Sequence, residues 1–344
     1  MSFMKTALRG IATAALIAGT GTVAMAQEVT LKLHQFLPAQ ASVPKLILDV
    51  WADRVEADSD GRIKIDRYPA MQLGGRPPEL VDQVMDGVAD IIWTVTGYTP
   101  GRFPSSEAFE MPFIMTNGED TSRAYWQYVE KNMLDTEFAD LKMLGVWVHG
   151  PGLIHSKDPI TSVSELNGVK LRAPTRVTNK LFTDMGATTV GMPVPAVPEA
   201  LSKGVIDATV IPWEVTTALK VSELVENHTT FPNNALYTTT FIWAMNKDKY
   251  DALPDDLKKV IDDNSGEDFS AFAGKVMQEA DQQGFDFAKE RGNNIIDLTD
   301  EQIQEWKDAA APIEAWWVEE VTSNGLDGQA LLDEAKALIA ENSK

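Results

Sequence analysis

The chain has 344 residues, with 51 acidic against 30 basic side chains, a formal net charge of −21, 44% hydrophobic residues and no cysteine. That length suits one large globular unit or two lobes of ordinary domain size. The negative charge, with no basic stripe along the chain, excludes nucleic acid and an anionic membrane surface as partners; the lack of cysteine excludes disulfides and thiolate metal sites.

The first 26 residues read as a cleavable export signal. Lys5 and Arg9 precede the apolar run IATAALIAG, and Ala24-Met25-Ala26 supplies the small-x-small pattern that a signal peptidase reads. Cleavage after Ala26 would start the mature chain at Gln27. Lys5 and Arg9 are the only charged residues removed, so the net charge would move from −21 to −23. No later stretch reaches the roughly 18 uncharged apolar residues of a membrane span, so the expected product lies outside the cytoplasm and is held together by its core.

TLKLHQF (30–36) alternates Leu31, Leu33 and Gln35 on one face, a strand that Pro38 stops. Val43, Leu46, Ile47, Trp51 and Val55 then recur at helical spacing, ending near Ser59-Asp60-Gly61. IKIDRYP (63–69) predicts a second strand, and PPELVDQVMDG (77–87) a helix with Leu80, Val84 and Val88 on one stripe beside Val81 and Met85. DIIWTV (90–95) is continuously apolar, as in a sheet covered on both faces. Strand, helix, strand, helix, strand is the rhythm of a parallel α/β lobe.

A second lobe of the same kind is expected from an echo. Gly87-Val88-Ala89-Asp90 closes one helix and opens a strand, and Gly204-Val205-Ile206-Asp207 does the same further on, each glycine placed where a helix end needs a left-handed residue. After residue 250 the pattern is helical: Thr299 and Gln302 form a capping box, Pro312 opens another helix, and Trp306, Ile313, Trp316 and Trp317 fall at packing positions. The organisation expected is a first α/β lobe over 27–150, a second over 151–245 that includes a crossing segment, and C-terminal helices over 246–344 packing on both.

Chemistry leaves few marks. The histidines are His34, His149, His155 and His228, without zinc-ligand spacing; there is no Gly-x-Ser-x-Gly elbow, and Gly74-Gly75 lack a P-loop lysine and hydroxyl. No cofactor is expected. Abundant carboxylates leave a glycosidase-like pair open on composition, so a secreted enzyme acting on a small organic acid stands as one alternative, and a sensory ligand-binding module as another.

Taken together, LHQFLPAQ, MQLGG (71–75), DGVADI, MPFI (111–114), ELNGVKLRAP, EALSKGVIDA and FIWAMNKDKYDALP occur in an order that resembles the DctP-type substrate-binding proteins of TRAP transporters, from about residue 28 to the C-terminal region. The resemblance implies a hinged, two-lobed periplasmic-binding-protein-like α/β fold with crossing strands and long C-terminal helices. It implies a receptor that closes on an organic acid and delivers it to a membrane permease. It also assigns the arginine of the L-R-x-P strand, Arg172, to the ligand carboxylate. A planar guanidinium suits that task because it matches a carboxylate with two parallel hydrogen bonds. Arg176, four residues on, either turns into the same cleft or stays solvated at the start of a helix over 177–185.

The sequence departs from relatives in two places. DATVIPWE carries Ile211 where many have an asparagine, and GVWVHGPG lacks the arginine found near it in receptors for sugar acids. Both changes make the pocket less polar. Aromatic residues stand around the expected cleft instead: Phe36, Trp93, Tyr98, Trp147, Trp213, Tyr237 and Trp243. Of these, Trp93, Tyr98 and Trp213 follow parallel strands at their C-terminal ends, where open α/β sheets bind ligands. The ligand expected is a flat aromatic acid held by stacking, or an onium carboxylate such as dimethylsulfoniopropionate held by π-faces with Glu214 facing its cation.

Overall fold

The computed structural model describes residues 28–343; the export signal expected over residues 1–26, with its cleavage site, lies outside the described residues. The first sheet takes its opening strands in chain order: β1 (Val29–His34), β2 (Ile63–Tyr68), β3 (Ile91–Val95) and β4 (Leu141–Val148). A second sheet follows with β5 (Leu153–Ser156), β6 (Lys170–Ala173), β7 (Thr188–Gly191), β8 (Ala208–Ile211) and β9 (Asn227–Thr230). The chain then returns to the first sheet as β10 (Thr240–Asn246) and later adds β11 (Asn294–Asp297) to the edge of the second.

The strand orders are β2-β1-β3-β10-β4 and β11-β9-β5-β8-β6-β7. In the first, β1 runs parallel to β2 and β3, while β10 is antiparallel to β3 and β4. In the second, β6 is parallel to β7 and β8, and β5 is antiparallel to β8 and β9. Each sheet with its helices forms one lobe of a two-lobed α/β fold. The region after residue 246, expected to be helical, is helical except for β11, which completes the second sheet.

The predicted elements hold, with local differences that have physical causes. The helix expected from Val43 opens as a π turn over Pro44–Leu48, where the Asp49 N–H reaches back to the Pro44 carbonyl, before the α-helix Asp49–Asp58. The wider turn rotates the stripe, so Ile47, Trp51 and Val55 are buried while Leu46 is 41% exposed. The next α-helix ends at Met85, and Gly87 takes φ 71°. Met85 and Val88 therefore leave the buried stripe and stand 38% and 44% exposed. Gly204 repeats the left-handed exit at φ 68°.

The lobes are joined at β4–β5, at β9–β10 and along helices 267–279 and 281–290, the former packed on helix 118–132 and β4, the latter on the turn Trp213–Val215. The two strand connections pair with each other where the Gly152 N–H donates to the Tyr237 carbonyl at 2.9 Å. A Cβ on Gly152 would fall 2.2 Å from the Tyr237 ring, which is why glycine stands there. The capping box at Thr299 and the helix beginning at Pro312 form as expected. Trp306, Ile313 and Trp317 are buried; Trp316 is half-buried.

Candidate functional site

Arg172 occupies the third position of β6, opposite Val190 of β7 and Thr209 of β8, and Pro174 then stops the strand. The side chain is 1% exposed. Its Nε donates to the Met192 carbonyl at 2.9 Å and its Nη1 to the Val210 carbonyl at 3.1 Å, which fixes the guanidinium plane. Nη2 is buried and makes no hydrogen bond of ordinary geometry, although the guanidinium lies close enough to the Tyr98 hydroxyl to oppose the rise that burial gives that group's pKa. Among the described residues no carboxylate forms an ion pair with Arg172. A buried cation left without a counter-charge is several kcal/mol costlier than a paired one.

The cleft beside it is narrow, with a cavity volume of about 40 Å³. Its walls come from both lobes, with Phe36, Trp93, Tyr98, Tyr237 and Phe241 among the lining residues. Phe36 stacks on Trp93 at 4.5 Å between ring centroids and 16° between planes, and Trp93 stacks on Phe241 at 5.2 Å and 18°. Behind them Trp147 lies 6.2 Å from Trp93 at 7°. These rings form a stack along one side of the cleft, with Tyr98 set edge-on to Phe36 at 64°. The register of β10 builds it: Phe241 lies opposite Val95 of β3 and Trp147 of β4, which sets all three strands' aromatic residues on one face.

Tyr98 crosses between the lobes, its hydroxyl accepting the Val194 N–H at 2.9 Å. Burial raises the pKa of Tyr98 and of Tyr237, against the opposing pull of the Arg172 charge. His149, also in the lining, is pushed down to about 4, chiefly by burial. Its Nδ1 donates to the Gly150 carbonyl and its Nε2 accepts the Thr239 N–H at 3.1 Å, the tautomer of a neutral ring. The cleft is therefore lined by a single cation, Arg172.

Glu214 also lines the cleft and is 4% exposed. Burial, reinforced by the neighbouring Asp281, pushes its carboxyl up to about 8, so the side chain is uncharged at neutral pH. An anionic partner for an onium group, as expected of Glu214, is thus not provided.

Three other expected site residues lie elsewhere. Arg176 opens helix Arg176–Asp184, as one of its two readings had it, but it is only partly solvated: it pairs with Glu107 and Glu320 and lies over the Trp316 ring at 5.4 Å. The helix start turns it out of the cleft. Trp213 points to the opposite side of its short turn from Glu214, among His155, His228 and Phe285 at 5.0, 4.8 and 5.8 Å. Trp243 is covered by Trp51 from helix 49–58, edge-on at 5.1 Å, and does not reach the cleft.

Phe241, His149, Val194, Thr239 and Met277 line the cleft without having been singled out. Phe241 was readable in principle: it alternates with Trp243 in TFIWAMN, two residues nearer the start of the strand. Among the described residues no group of histidines and carboxylates could hold a metal ion, and no helix is long and apolar enough to cross a membrane.

Residues 36–320 match the family described as bacterial extracellular solute-binding protein, family 7 (DctP). A TRAP solute binding protein from Rhodoferax ferrireducens T118, solved with copurified benzoate, is 50% identical; the match covers 92% of this chain and 98% of that one, with a TM-score of 0.90. A marine metagenome TRAP solute binding protein described as specific for aromatic acid ligands, solved with 3-hydroxybenzoate, is 46% identical over 93% of this chain and 100% of that one, also with a TM-score of 0.90. A protein of Comamonas testosteroni named outer membrane transporter protein TsaT is 28% identical over 97% of this chain and 98% of its own length.

Proposed function

From membership of the DctP family of TRAP solute receptors, which the match over residues 36–320 establishes for this chain, we propose that the ligand is a single-ring aromatic carboxylate taken up in the periplasm and passed to a TRAP permease. As a solute receptor the chain binds a small organic acid and does not transform it. The observation that carries the ligand reading is the Nη2 of Arg172, buried without a hydrogen bond of ordinary geometry beside a stack of aromatic rings.

Arg172 is the carboxylate clamp. In a cleft screened from water, the ligand's anion supplies the missing counter-charge and accepts from Nη2. The Tyr237 hydroxyl, also buried without a partner, is a second donor at that end. Phe36 and Phe241, stacked on either side of Trp93, line the cleft with aromatic surface against which a ring packs, a contact worth about 0.5–1.5 kcal/mol per pair beyond the area it buries. Two similar receptors solved with benzoate and 3-hydroxybenzoate support the same reading. An onium carboxylate is less well served, because Glu214, held uncharged by burial, offers its cation no counter-charge.

Titration calorimetry against benzoate, 3- and 4-hydroxybenzoate, dimethylsulfoniopropionate, glycine betaine, succinate, glucuronate and sialic acid tests the proposal. Tight binding is expected for the benzoates alone. Tight binding of glucuronate, sialic acid or an onium acid, with no response to any benzoate, overturns it.

A further inference from the structure

Glu214 is a polar group that the carboxylate clamp leaves unused. It follows Trp213 on the short turn after β8, and so stands at the same sheet edge as Arg172 on neighbouring β6. Its backbone is held from two directions: its N–H donates to Asp281 Oδ1 at 2.8 Å, and its carbonyl accepts the Ser42 hydroxyl at 3.4 Å. Its side chain lines the cleft, yet Oε2 is buried and has no hydrogen-bond partner. A buried carboxyl oxygen with nothing to bond is unfavourable, so its persistence in a ligand cleft points to a partner brought by the ligand.

The chemistry of that partner is constrained. The ligand's carboxylate belongs with Arg172, whose charge acts on Tyr98, Tyr237 and His149, whereas Glu214 is perturbed by burial, by Asp281 and by Ser42. A second anion at Glu214 would meet no cation. An ammonium group would have to strip a proton from a carboxyl that burial holds protonated. A hydroxyl needs neither change, since it both donates to and accepts from a neutral carboxylic acid.

We propose that Glu214 hydrogen-bonds a hydroxyl carried on the ligand's ring, so that the receptor selects hydroxy-substituted aromatic acids over unsubstituted ones. This rests on the aromatic-acid reading above and adds to it a residue that sets specificity. Discrimination arises because an unsubstituted ring leaves Oε2 unpaired in the closed cleft, whereas a phenolic hydroxyl satisfies it.

The test is the ratio of affinities for benzoate, 3-hydroxybenzoate and 4-hydroxybenzoate, by calorimetry at pH 7, in the wild-type chain, Glu214→Gln and Glu214→Ala, with thermal melts to verify folding. In the wild type at least one hydroxybenzoate is expected to bind about tenfold or more tightly than benzoate. The ratio should fall to within about threefold in Glu214→Ala and survive in part in Glu214→Gln, whose amide still donates and accepts. The ratio is the readout, whatever happens to benzoate itself. Benzoate binding as tightly as both hydroxybenzoates in the wild type, or an unchanged ratio in folded Glu214→Ala, overturns the role of Glu214 and leaves the aromatic-acid reading standing. Failure of all three benzoates to bind the wild type overturns both.

Discussion

Arg176 and Glu107 meet through two parallel hydrogen bonds, Nε to Oε1 at 2.6 Å and Nη2 to Oε2 at 2.7 Å. One residue opens a helix of the second lobe; the other lies in the turn Pro104–Glu110 of the first. The Trp317 indole N–H donates to the same carboxylate at 3.0 Å, so three parts of the chain converge on one buried anion. The second arginine of LRAPTR is therefore a strut between lobes, while the first faces the ligand cleft.

Arg176→Ala leaves Glu107 buried with only the indole to satisfy it. Truncating one partner of a buried pair costs about 3–5 kcal/mol, and less here, about 2 kcal/mol, because the arginine is partly solvated. The expected outcome is a clear fall in Tm with a smaller loss of ligand affinity than any Arg172 variant shows. Lost affinity at unchanged Tm would place Arg176 at the ligand after all.

Arg172→Met should behave in the opposite way. Removing an unpaired buried cation relieves a desolvation penalty, so the ligand-free protein should melt no lower than wild type. Binding of the preferred benzoate should weaken by at least about 2 kcal/mol, since the ligand's carboxylate then enters the cleft without its partner. Calorimetry with a parallel melt reads both, and near-unchanged affinity in a folded variant rules out the clamp.

Stability should decline as pH rises above neutrality. Burial raises Glu110 and Asp281 to about 7 and Glu214 to about 8, so the folded state holds protons that the unfolded chain releases at 3.8 for the aspartate and 4.5 for the glutamates. Their contribution is complete below the unfolded value and is lost as pH climbs through the folded ones. His149 and His228, both lowered to about 4 by burial, work the other way between about 4 and 6.5 and offset the carboxyl groups there. Melting scans should thus show a plateau below about pH 6.5 and a falling Tm from 6.5 to 8.5, shallower in Glu214→Gln. A Tm that rises over that upper interval contradicts the assignment.

Gly97→Ala tests closure. A Cβ there would lie 2.4 Å from Thr175 Cγ2, across the boundary between lobes. The variant should fold normally yet close incompletely, lowering affinity by about tenfold or more, on the scale of a misplaced contact. In small-angle scattering, ligand should reduce the radius of gyration of wild type more than that of the variant; equal changes in both would show that this contact does not gate closure.

Much of the fold was legible because its signals are local. Continuous apolar runs marked β3, left-handed glycines marked the exits at Gly87 and Gly204, and the capping box at Thr299 marked a helix start. Arg172 was singled out through a motif, and Tyr98 through its place after a strand; Trp93, expected at a strand end, lies in the middle of β3 and lines the cleft from there. What failed depends on direction at a scale below one turn. Trp213 and Glu214 are adjacent in sequence yet leave the same turn to opposite sides, and Leu46 is rotated outward by a π turn that no residue announces. Arg176 needed its partner Glu107, 69 residues away, to be understood. Uncharged Glu214 needed the burial that only the assembled lobes create.

The interleaving of the strands also sets a timetable for folding. β3 at residues 91–95 waits for β10 at 240–246, and β9 at 227–230 waits for β11 at 294–297. Neither sheet can close its pairing until most of the chain is present, and loops of that length slow the search for native partners. A chain wired in this way resists premature folding while it is being made. That property favours passage through a membrane pore in an extended state, with folding deferred to the far side.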